Sequence, residues 1–451
     1  MSKIYFDHSA TTPTDKRVMK EMKPYFTKIY GNPSSIHGFG QEAISGVDKA
    51  RKRVADFLNS RTDEIIFTSG ATESDNLVIK GVIKFLQKRE QEKSASGNCM
   101  DVSPEDIKEQ KKSFDREDKS DSGQKEKTSK KFHIITTSVE HKAVLEPCAE
   151  LETKGETEVT YLPVQENGIV DPEEVKNAIQ DNTILVSVMY VNSEIGSVNP
   201  IKEIGKVIKK VNENRYREWK KWGAKKKLPQ PRKIYFHSDA TQALNFYNCD
   251  VQRLRLDFLS LSGHKIYGPK GMGALFIRQG SELKAIQTGG RQERNLRSGT
   301  LNVPGIVGLG KAVDLLTEDR QEKNSKRIAR LRDKLVQGIK DNISDVVLTT
   351  DRENSTPAHA HFIFRGAEGE SVLMSLDLEG IAVSTGSACA AKDLHPSHVL
   401  KAIGVKAEDA NCAIRFSLGK KNTEEDIDKV LEVLPSIIEK IRSMNPVYGS
   451  K

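Results

Sequence analysis

The stretch Ser260-Leu-Ser-Gly-His-Lys265-Ile-Tyr-Gly-Pro-Lys-Gly-Met-Gly273 decides how this chain is interpreted. It ends an apolar strand pattern and continues into a glycine-rich turn. Lys265 lies at that boundary, where partial burial favours the neutral amine. A neutral lysine amine is a nucleophile that forms a Schiff base with an aldehyde. The pattern alone is weak evidence, because most lysines are solvated surface residues.

Phosphate donors flank this lysine and recur elsewhere. Ser262 and His264 offer a hydroxyl and an imidazole. A strand, a small-residue turn and a helix are predicted at Phe67-Thr-Ser-Gly-Ala-Thr72-Glu. The backbone N–H groups at Ala71 and Thr72, with the Thr72 hydroxyl, would lie at that helix N-terminus, where anions bind well. An ordinary capped turn has the same pattern, so this motif does not decide by itself.

A carboxylate follows another apolar strand in Tyr235-Phe-His-Ser-Asp239-Ala-Thr-Gln242. Asp239 is suited to pair with a protonated pyridine nitrogen, and that pairing makes pyridoxal phosphate (PLP) an electron sink. Gln242 can donate to the ring hydroxyl. Asp239 could instead cap a helix, but its pairing with the later Lys265 favours a cofactor site.

Two further side chains are candidates for chemistry. His141 follows a predicted strand and is suited to stack on a planar ring or carry a proton, although a lone histidine is more often structural. Cys389 lies among small residues, and Lys392, His395 and His398 nearby would favour its thiolate. We expect a reactive thiol there; the alternative is a buried small hydrophobe.

Composition excludes several classes of protein. The chain has 451 residues, 36% hydrophobic and 30% charged. No apolar run approaches the roughly 20 residues of a membrane span. Its 5 cysteines contain no CxxC pair, which argues against a disulfide framework, a structural zinc site or another metal site. The N-terminus lacks a signal-peptide pattern, so we expect a cytoplasmic protein.

The formal net charge of +8 is unevenly placed. Residues 209–233 contain 11 basic and 2 acidic residues, a net of +9, which leaves the rest of the chain at −1. Direct nucleic-acid binding is therefore not expected of the protein as a whole. The segment also contains Trp219 and Trp222, which either dock an acidic partner or RNA or pack back on the body while the lysines face water.

Strand and helix patterns alternate along most of the chain, which predicts an α/β fold with a mostly parallel sheet. Among these elements are a helix from Thr72 to Leu86, a helix near Ile201 to Lys210 and a strand from Ala413 to Ser417. We expect a large domain over residues 15–303 and a smaller C-terminal α+β domain over residues 304–451 completed by residues 1–14. Residues 88–131 read as a charged insertion too poor in apolar residues to order itself, and residues 209–233 as a basic insertion.

The chain resembles the cysteine desulfurases of the NifS/IscS type, in the class V aminotransferase family of fold type I PLP-dependent enzymes. The resemblance covers nearly the whole chain except the two insertions, which have no counterpart in the family pattern. It rests on the motifs quoted above and on Phe6-Asp-His-Ser-Ala-Thr-Thr-Pro13, Tyr30-Gly-Asn-Pro-Ser-Ser-Ile-His37, Thr68-Ser-Gly-Ala-Thr-Glu-Ser-Asp-Asn76, Val139-Glu-His141, Asn192-Ser-Glu-Ile-Gly196, Gly289-Gly-Arg-Gln-Glu-Arg294, Arg297-Ser-Gly-Thr-Leu-Asn302, Ser387-Ala-Cys389 and Ile414-Arg-Phe-Ser-Leu418.

The resemblance implies a role for each matching position. Lys265 would bind the cofactor covalently, and His141 would stack on its ring. Arg415 would clamp the substrate carboxylate with help from Asn192, which also counts as a cofactor contact. The remaining cofactor contacts would be Asp239, Gln242, Ala71, Thr72, Ser262, His264 and, from the other subunit of a homodimer, Thr300.

The implied reaction converts L-cysteine to L-alanine and leaves a persulfide on Cys389. A sulfur-acceptor protein, either an iron–sulfur scaffold or a tRNA-thiolation protein, would then take the sulfur. A selenocysteine lyase or another class V PLP enzyme is the alternative, since it would share Lys265 and Asp239 but depend less on Cys389. A cofactor-free scaffold protein is a third reading, which the set of PLP-type residues disfavours.

Overall fold

The computed structural model describes residues 3–95, 131–226, 228–386, 396–445 and 448. Its strands are β1 (Ile4–Tyr5), β2 (Ile65–Thr68), β3 (Phe132–Thr137), β4 (Thr157–Leu162), β5 (Thr183–Ser187), β6 (Tyr235–Asp239), β7 (Phe258–Ser262), β8 (Gly273–Ile277), β9 (Val346–Leu348), β10 (His359–Phe364), β11 (Ile381–Ala382) and β12 (Ala413–Ser417). Its α-helices are α1 (Lys16–Met22), α2 (Pro24–Thr27), α3 (Gly38–Leu58), α4 (Ala71–Ala95), α5 (Lys142–Thr153), α6 (Pro172–Ala178), α7 (Ile201–Glu218), α8 (Val251–Leu254), α9 (Val303–Asp314), α10 (Glu318–Asn342), α11 (Gly369–Leu378), α12 (His398–Ala402), α13 (Ala407–Ala410) and α14 (Glu424–Ser443).

Seven strands form the main sheet in the order β2-β8-β7-β6-β5-β3-β4. All neighbours pair in parallel except β8, which is antiparallel to both β2 and β7. The mostly parallel α/β sheet predicted from the sequence is confirmed. Strands β3, β5, β6, β7 and β8 are fully buried, because helices cover both faces of the sheet.

Each face of the sheet has its own apolar core. Helices α3, α7 and α9 contribute to one core, and α4 and α5 contribute to the other. Helices α3 and α9 approach closely, since a Cβ built on Gly310 would lie 2.6 Å from the Cα of Ala50. Any side chain at Gly310 would force these two helices apart.

The C-terminal part of the chain builds a second sheet layer. Strands β12, β10 and β9 pair antiparallel in that order, and β1 pairs in parallel with β11. Ile4 and Phe6 from the N-terminus pack in the same core as helices α10, α11 and α14. The division at residues 303 and 304 stays a prediction; helix α9, which begins at Val303, packs in the first core against α3.

Both predicted insertions begin in helices longer than the sequence indicated. Helix α4 continues beyond Leu86 to Ala95, and residues 96–130 lie outside the described ranges. Helix α7 continues into a π-helical turn at Trp219–Gly223. The Trp219 indole Nε1 donates to the Leu228 carbonyl at 2.9 Å, whereas Trp222 is 48% exposed. The alternative in which the tryptophans pack back on the body therefore does not hold for Trp222, and the Trp219 hydrogen bond is made within the basic insertion itself.

Within the described ranges, no helix combines the length and the apolar character needed to cross a bilayer.

Candidate active site

The predicted site residues follow the carboxyl ends of four neighbouring strands. In the order β7-β6-β5-β3 these strands are parallel, so their ends meet at one edge of the sheet. Lys265, Asp239, Asn192 and His141 come after β7, within β6, after β5 and after β3, respectively. In open α/β sheets this edge is where ligands bind.

Lys265 and Gln242 meet at the backbone of the N-terminal segment. The Lys265 Nζ donates to the carbonyl oxygens of Ser9 and of Ala10, the latter at 2.9 Å. The Gln242 Nε2 donates to the same Ser9 carbonyl at 2.9 Å. Segment 9–10, more than 230 residues away in sequence, therefore forms one wall of the site.

Asp239 is a buried carboxyl that forms no ion pair with a lysine, arginine or histidine among the described residues. It is 6% exposed, and its Oδ1 accepts the Thr241 backbone N–H at 2.9 Å. Burial raises the pKa of Asp239, nearby Asp75 raises it further, and His141 opposes the rise. A protonated pyridine nitrogen would supply the positive charge that favours the Asp239 carboxylate. This environment fits PLP.

The predicted phosphate donors are brought together by two glycines. A Cβ built on Gly70 would lie 3.7 Å from the Ser262 hydroxyl, so the N-terminus of α4 adjoins the end of β7. A Cβ built on Gly273 would lie 2.6 Å from the Gly70 Cα, so a side chain there would fill the space beside this turn. Backbone N–H groups and one hydroxyl meet here, as an anion requires.

The surroundings of His264 and Thr72, the two other predicted phosphate ligands, differ from this arrangement. The His264 Nδ1 is 3.1 Å from the Thr11 hydroxyl, and burial lowers the pKa of His264 to about 4. A neutral His264 therefore offers one N–H donor rather than a positive charge. Thr72 is exposed, and its contact with cofactor stays a prediction, as does that of Ala71.

His141 caps helix α5 with its own ring. Its Nδ1 accepts the Ala143 backbone N–H at 3.1 Å. Burial lowers the pKa of His141, the nearby Lys265 lowers it further, and Asp239 opposes both. Because Nδ1 is an acceptor, the neutral ring carries its proton on Nε2.

Arg415 of β12 is 3% exposed and densely bonded. Its Nη1 donates to the carbonyls of Ser193 (3.0 Å) and Gly386 (2.8 Å), and its Nη2 forms a 2.6 Å ion pair with Asp7. Its Nε has no partner among the described residues. One buried donor is thus left for a further ligand.

The Asn192 side chain is occupied by backbone groups. Its Nδ2 donates to the Val139 carbonyl at 3.0 Å, and its Oδ1 accepts from the backbone N–H groups of Glu194 (2.8 Å) and Ile195 (3.0 Å). Asn192 therefore joins the loop after β5 to the turn that carries His141. Its direct contact with substrate or cofactor stays a prediction.

Some of the other predicted residues do not belong to the part of the chain that the structure describes. Cys389, Lys392 and His395 lie outside the described residues. The ring Nε2 of His398 is 2.9 Å from the Glu140 carbonyl oxygen. Thr300 is exposed, and its contact with the cofactor of another subunit stays a prediction.

Sequence reasoning missed a set of buried polar residues behind the site. The Asp75 side chain is fully buried, and its Oδ1 is 3.5 Å from the His237 Nε2. The His237 ring is also 2.8 Å from the Ser187 hydroxyl and 3.0 Å from the Ser260 hydroxyl. Polar residues inside otherwise apolar strands were the available signal, since such groups are buried only with partners or for a function.

Glu140, also missed, leads to a prediction about pH. Its Oε1 accepts from the Thr137 hydroxyl (2.9 Å) and the Met189 backbone N–H (2.7 Å). Its Oε2 has no partner among the described residues, and burial raises the pKa of Glu140 to about 8. The folded state then binds more protons than the unfolded state between the ordinary glutamate pKa and about 8.

Stability should therefore fall as pH rises from 7 to 8, where histidines are largely neutral in both states. One such group contributes up to about 1.4 kcal/mol per pH unit. Glu140→Gln is expected to reduce this fall, measured as the urea midpoint at pH 7 and pH 8. Glu146→Gln, at an exposed position of α5, is the matched control. An unchanged pH dependence in Glu140→Gln would contradict the assignment.

Comparisons with known proteins agree with this geometry. The model of the family described as aminotransferase class-V matches residues 4–93, 122–214 and 224–430. The unmatched residues 94–121 and 215–223 fall within the two insertions expected from the sequence.

The chain is similar to curated and solved relatives over nearly its whole length. It is 42% identical to cysteine desulfurase IscS of Dictyoglomus turgidum, over 98% of this chain and 96% of the relative. It is 44% identical to cysteine desulfurase IscS of Methanosarcina thermophila, over 98% and 94%. A solved NifS-like protein superposes with a TM-score of 0.78 at 34% identity, covering 97% of this chain and 100% of that one. The structure titled SspA in complex with cysteine has a TM-score of 0.70 at 33% identity, over 92% and 99%. The chain therefore belongs to the class V aminotransferase family, among its cysteine desulfurases of the NifS/IscS type.

Proposed function

We propose that this enzyme releases L-alanine from L-cysteine and transfers the sulfur to its own Cys389. The observation that carries the proposal is the meeting of Lys265, Asp239 and His141 at one edge of a sheet in a desulfurase-family chain. A primary amine, a buried carboxyl and a neutral imidazole are the groups that PLP chemistry on an amino acid requires.

PLP, when bound, supplies an aldehyde that takes the substrate amino group and a ring that withdraws electrons. Lys265 would bind that aldehyde, and the Asp239 carboxylate would hold the pyridine nitrogen protonated. Gln242 would donate to the ring oxygen, and His141 would stack on the ring with its proton at Nε2. Ser262, His264 and Thr72, with the backbone at Ala71, would hold the phosphate.

Arg415 is the proposed binding group for the substrate carboxylate. The guanidinium already donates hydrogen bonds to Asp7 and to two backbone carbonyls. Its orientation is therefore set before substrate arrives. The buried Nε–H has no partner among the described residues, which leaves a donor for the carboxylate of L-cysteine. Such charge-assisted bonds are among the stronger polar contacts in proteins.

Cys389 is the proposed sulfur acceptor within the chain. Its thiolate attacks the substrate sulfur, and an S–S bond forms as the Cβ–S bond breaks. The bonding electrons stay with carbon, which takes a proton and becomes the methyl group of alanine. The step balances without an external oxidant, because the sulfur is oxidised to the persulfide level as the carbon is reduced.

A second protein would then collect the sulfur. We propose an iron–sulfur scaffold or a tRNA-thiolation protein as that acceptor, since both can take up sulfur delivered as a persulfide. We also propose a reducing, cytoplasmic location, in which a persulfide can be handed from thiol to thiol. The free state of Cys148, Cys249 and Cys412 supports a reducing environment.

We further propose a homodimer. Phe26, Tyr30, Ile36 and Phe39 are 61, 64, 94 and 55% exposed, an unusual amount of large apolar surface in one short segment. A groove of about 350 Å³ next to them is lined by Pro33, Ser34 and Leu301, among others. The exposed segment thus adjoins the loop that carries Thr300, so one interface would bury the apolar residues and bring Thr300 to the partner's site.

Ile36→Asp should weaken this dimer by about 30-fold or more, because it places a charge in a desolvated interface. Sedimentation velocity over a concentration series would measure the dissociation constant. Leu378→Asp, at an equally exposed position of α11 (86%), is the matched control. A dimer that survives Ile36→Asp but is lost in Leu378→Asp would place the interface elsewhere.

The reaction itself is tested with purified, PLP-loaded protein and L-cysteine in the presence of a reductant. We expect alanine and sulfide in equal amounts. Bound cofactor without alanine release would overturn the proposed substrate, and L-selenocysteine would then be the substrate to try.

A further inference from the structure

One buried carboxylate lies beside the described residues on both sides of the segment that contains Cys389. The Glu194 Oε2 accepts the Ser397 hydroxyl at 2.9 Å. A Cβ built on Gly386 would lie 2.9 Å from the Glu194 Oε1. Gly386 and Ser397 are, respectively, the residue before and two residues after segment 387–395. Glu194 therefore lies between the two points at which this segment leaves and rejoins the described fold.

Both contact points are themselves held by regular structure. The Gly386 carbonyl accepts from the Arg415 Nη1 at 2.8 Å, and Gly386 has a φ of +101°, which favours glycine. The Ser397 hydroxyl caps helix α12 by accepting from the backbone N–H groups of Val399 and Leu400. Glu194 thus connects strand β12, through Arg415 and Gly386, with the N-terminus of α12.

The placement of Glu194 is costly for the fold, which argues for a function. The residue is 3% exposed, and its Oε1 has no hydrogen-bond partner among the described residues. The nearest imidazole nitrogen, His361 Nε2, is 4.0 Å away. Burial raises the pKa of Glu194 to about 7, although Ser397 and Arg415 oppose the rise. A glutamate that serves stability alone would have both oxygens satisfied.

We propose that Glu194 is a positioning residue for sulfur transfer, which sets the separation of Gly386 and Ser397 and thereby the reach of the Cys389 thiol. The proposal rests on the proposed function, because it needs Cys389 as the sulfur acceptor. Glu194 acts through Gly386 and Ser397 and does not itself contact substrate or cofactor.

The test separates substrate binding from sulfur transfer in Glu194→Ala, Glu194→Gln and Ser397→Ala. Persulfide on Cys389 is quantified by mass spectrometry after rapid mixing with L-cysteine. The change in cofactor absorbance is followed in the same samples. Glu194→Ala should slow persulfide formation by about 10-fold to 100-fold, the loss expected from a misplacement of about 1 Å, while the absorbance change keeps its rate.

Three further readouts distinguish positioning from a structural role. Glu194→Gln should recover part of the rate, since its amide oxygen can still accept from Ser397. Glu194→Ala combined with Ser397→Ala should be no slower than Glu194→Ala alone, as expected for one shared contact. The thermal midpoint of the cofactor-free protein should stay unchanged in Glu194→Ala and Glu194→Gln, whereas Ser397→Ala should lower it only by the loss of its cap on α12. Ser375→Ala, which removes a hydroxyl bonded only within α11 at Ser371, is the control.

The outcomes separate the inference from the proposed function. A wild-type chain that forms no persulfide on Cys389 contradicts the proposed function. Wild-type persulfide with undiminished rates in Glu194→Ala and Ser397→Ala contradicts the inference alone. Equal loss of the absorbance change, persulfide and thermal midpoint would show a structural role and also overturn the inference.

Discussion

Lys265→Ala is expected to abolish L-cysteine turnover, with a loss of at least about 1,000-fold. Lys265 is the primary amine that follows β7, at the same edge of the sheet where the buried carboxyl Asp239 ends β6, and its Nζ donates to carbonyls of the N-terminal segment. Alanine would also leave the Ser9 and Ala10 carbonyls without that donor, so a modest loss of stability should accompany the loss of activity.

The measurement that isolates the chemical role of Lys265 is reduction with borohydride. In the wild-type protein, the reduced cofactor should be found covalently attached to the peptide that contains Lys265. In Lys265→Ala the label should be absent, while PLP still binds reversibly through its phosphate and ring contacts. Lys270→Ala, at an exposed position five residues further on, should keep both label and turnover. A label retained in Lys265→Ala would assign the Schiff base to another lysine.

Cys389→Ala is expected to remove the persulfide and to lower alanine release from L-cysteine by at least about 100-fold. The reason is chemical, since without the thiolate nothing attacks the substrate sulfur and the Cβ–S bond keeps its electrons. The change in cofactor absorbance on adding L-cysteine should remain, because the amino group still reacts. Cys412→Ala, at a partly buried free cysteine, is the control and should keep full turnover.

L-Selenocysteine gives this variant a second use. Selenium leaves carbon more readily than sulfur does, so a selenocysteine lyase would need Cys389 less than a cysteine desulfurase would. Retained turnover of L-selenocysteine in Cys389→Ala, with turnover of L-cysteine lost, would place the thiol at the sulfur-transfer step. Retained turnover of both substrates would contradict the assignment of Cys389 and favour a different class V enzyme.

The fold was predictable from sequence because its signals are local. Apolar strands of five or six residues alternate with amphipathic helices, and these patterns follow from the backbone geometry of each element. Strand β12 was predicted at the residues where it is found. Boundaries were less accurate where charged helices continue past the core, as in α4 beyond Leu86. The i,i+4 ion pair of Lys88 and Glu92 supports such an extension. A prediction based on apolar periodicity takes no account of such surface pairs.

Candidates for the chemistry were also recognisable in the sequence, because their side chains are unusual for their places in the pattern, and their roles stay predictions. Asp239 ends β6 and Lys265 follows β7, and polar residues at such positions meet at one edge of a parallel sheet. The arrangement around them was not predictable. Asn192 is predicted to face a ligand, which stays a prediction, and the sequence did not indicate that its amide binds the backbone at Val139 and Glu194.

By itself, the sequence determined the order of the elements, the family and the side chains able to do PLP chemistry. Only the tertiary structure decided which of these groups touch. The Ser9 carbonyl meets Lys265, Asp75 lies behind His237, and Glu194 lies between Gly386 and Ser397. Periodicity states which face of an element is buried, but not which distant element covers it. Partners, burial and pKa therefore follow from long-range packing, which local patterns do not encode.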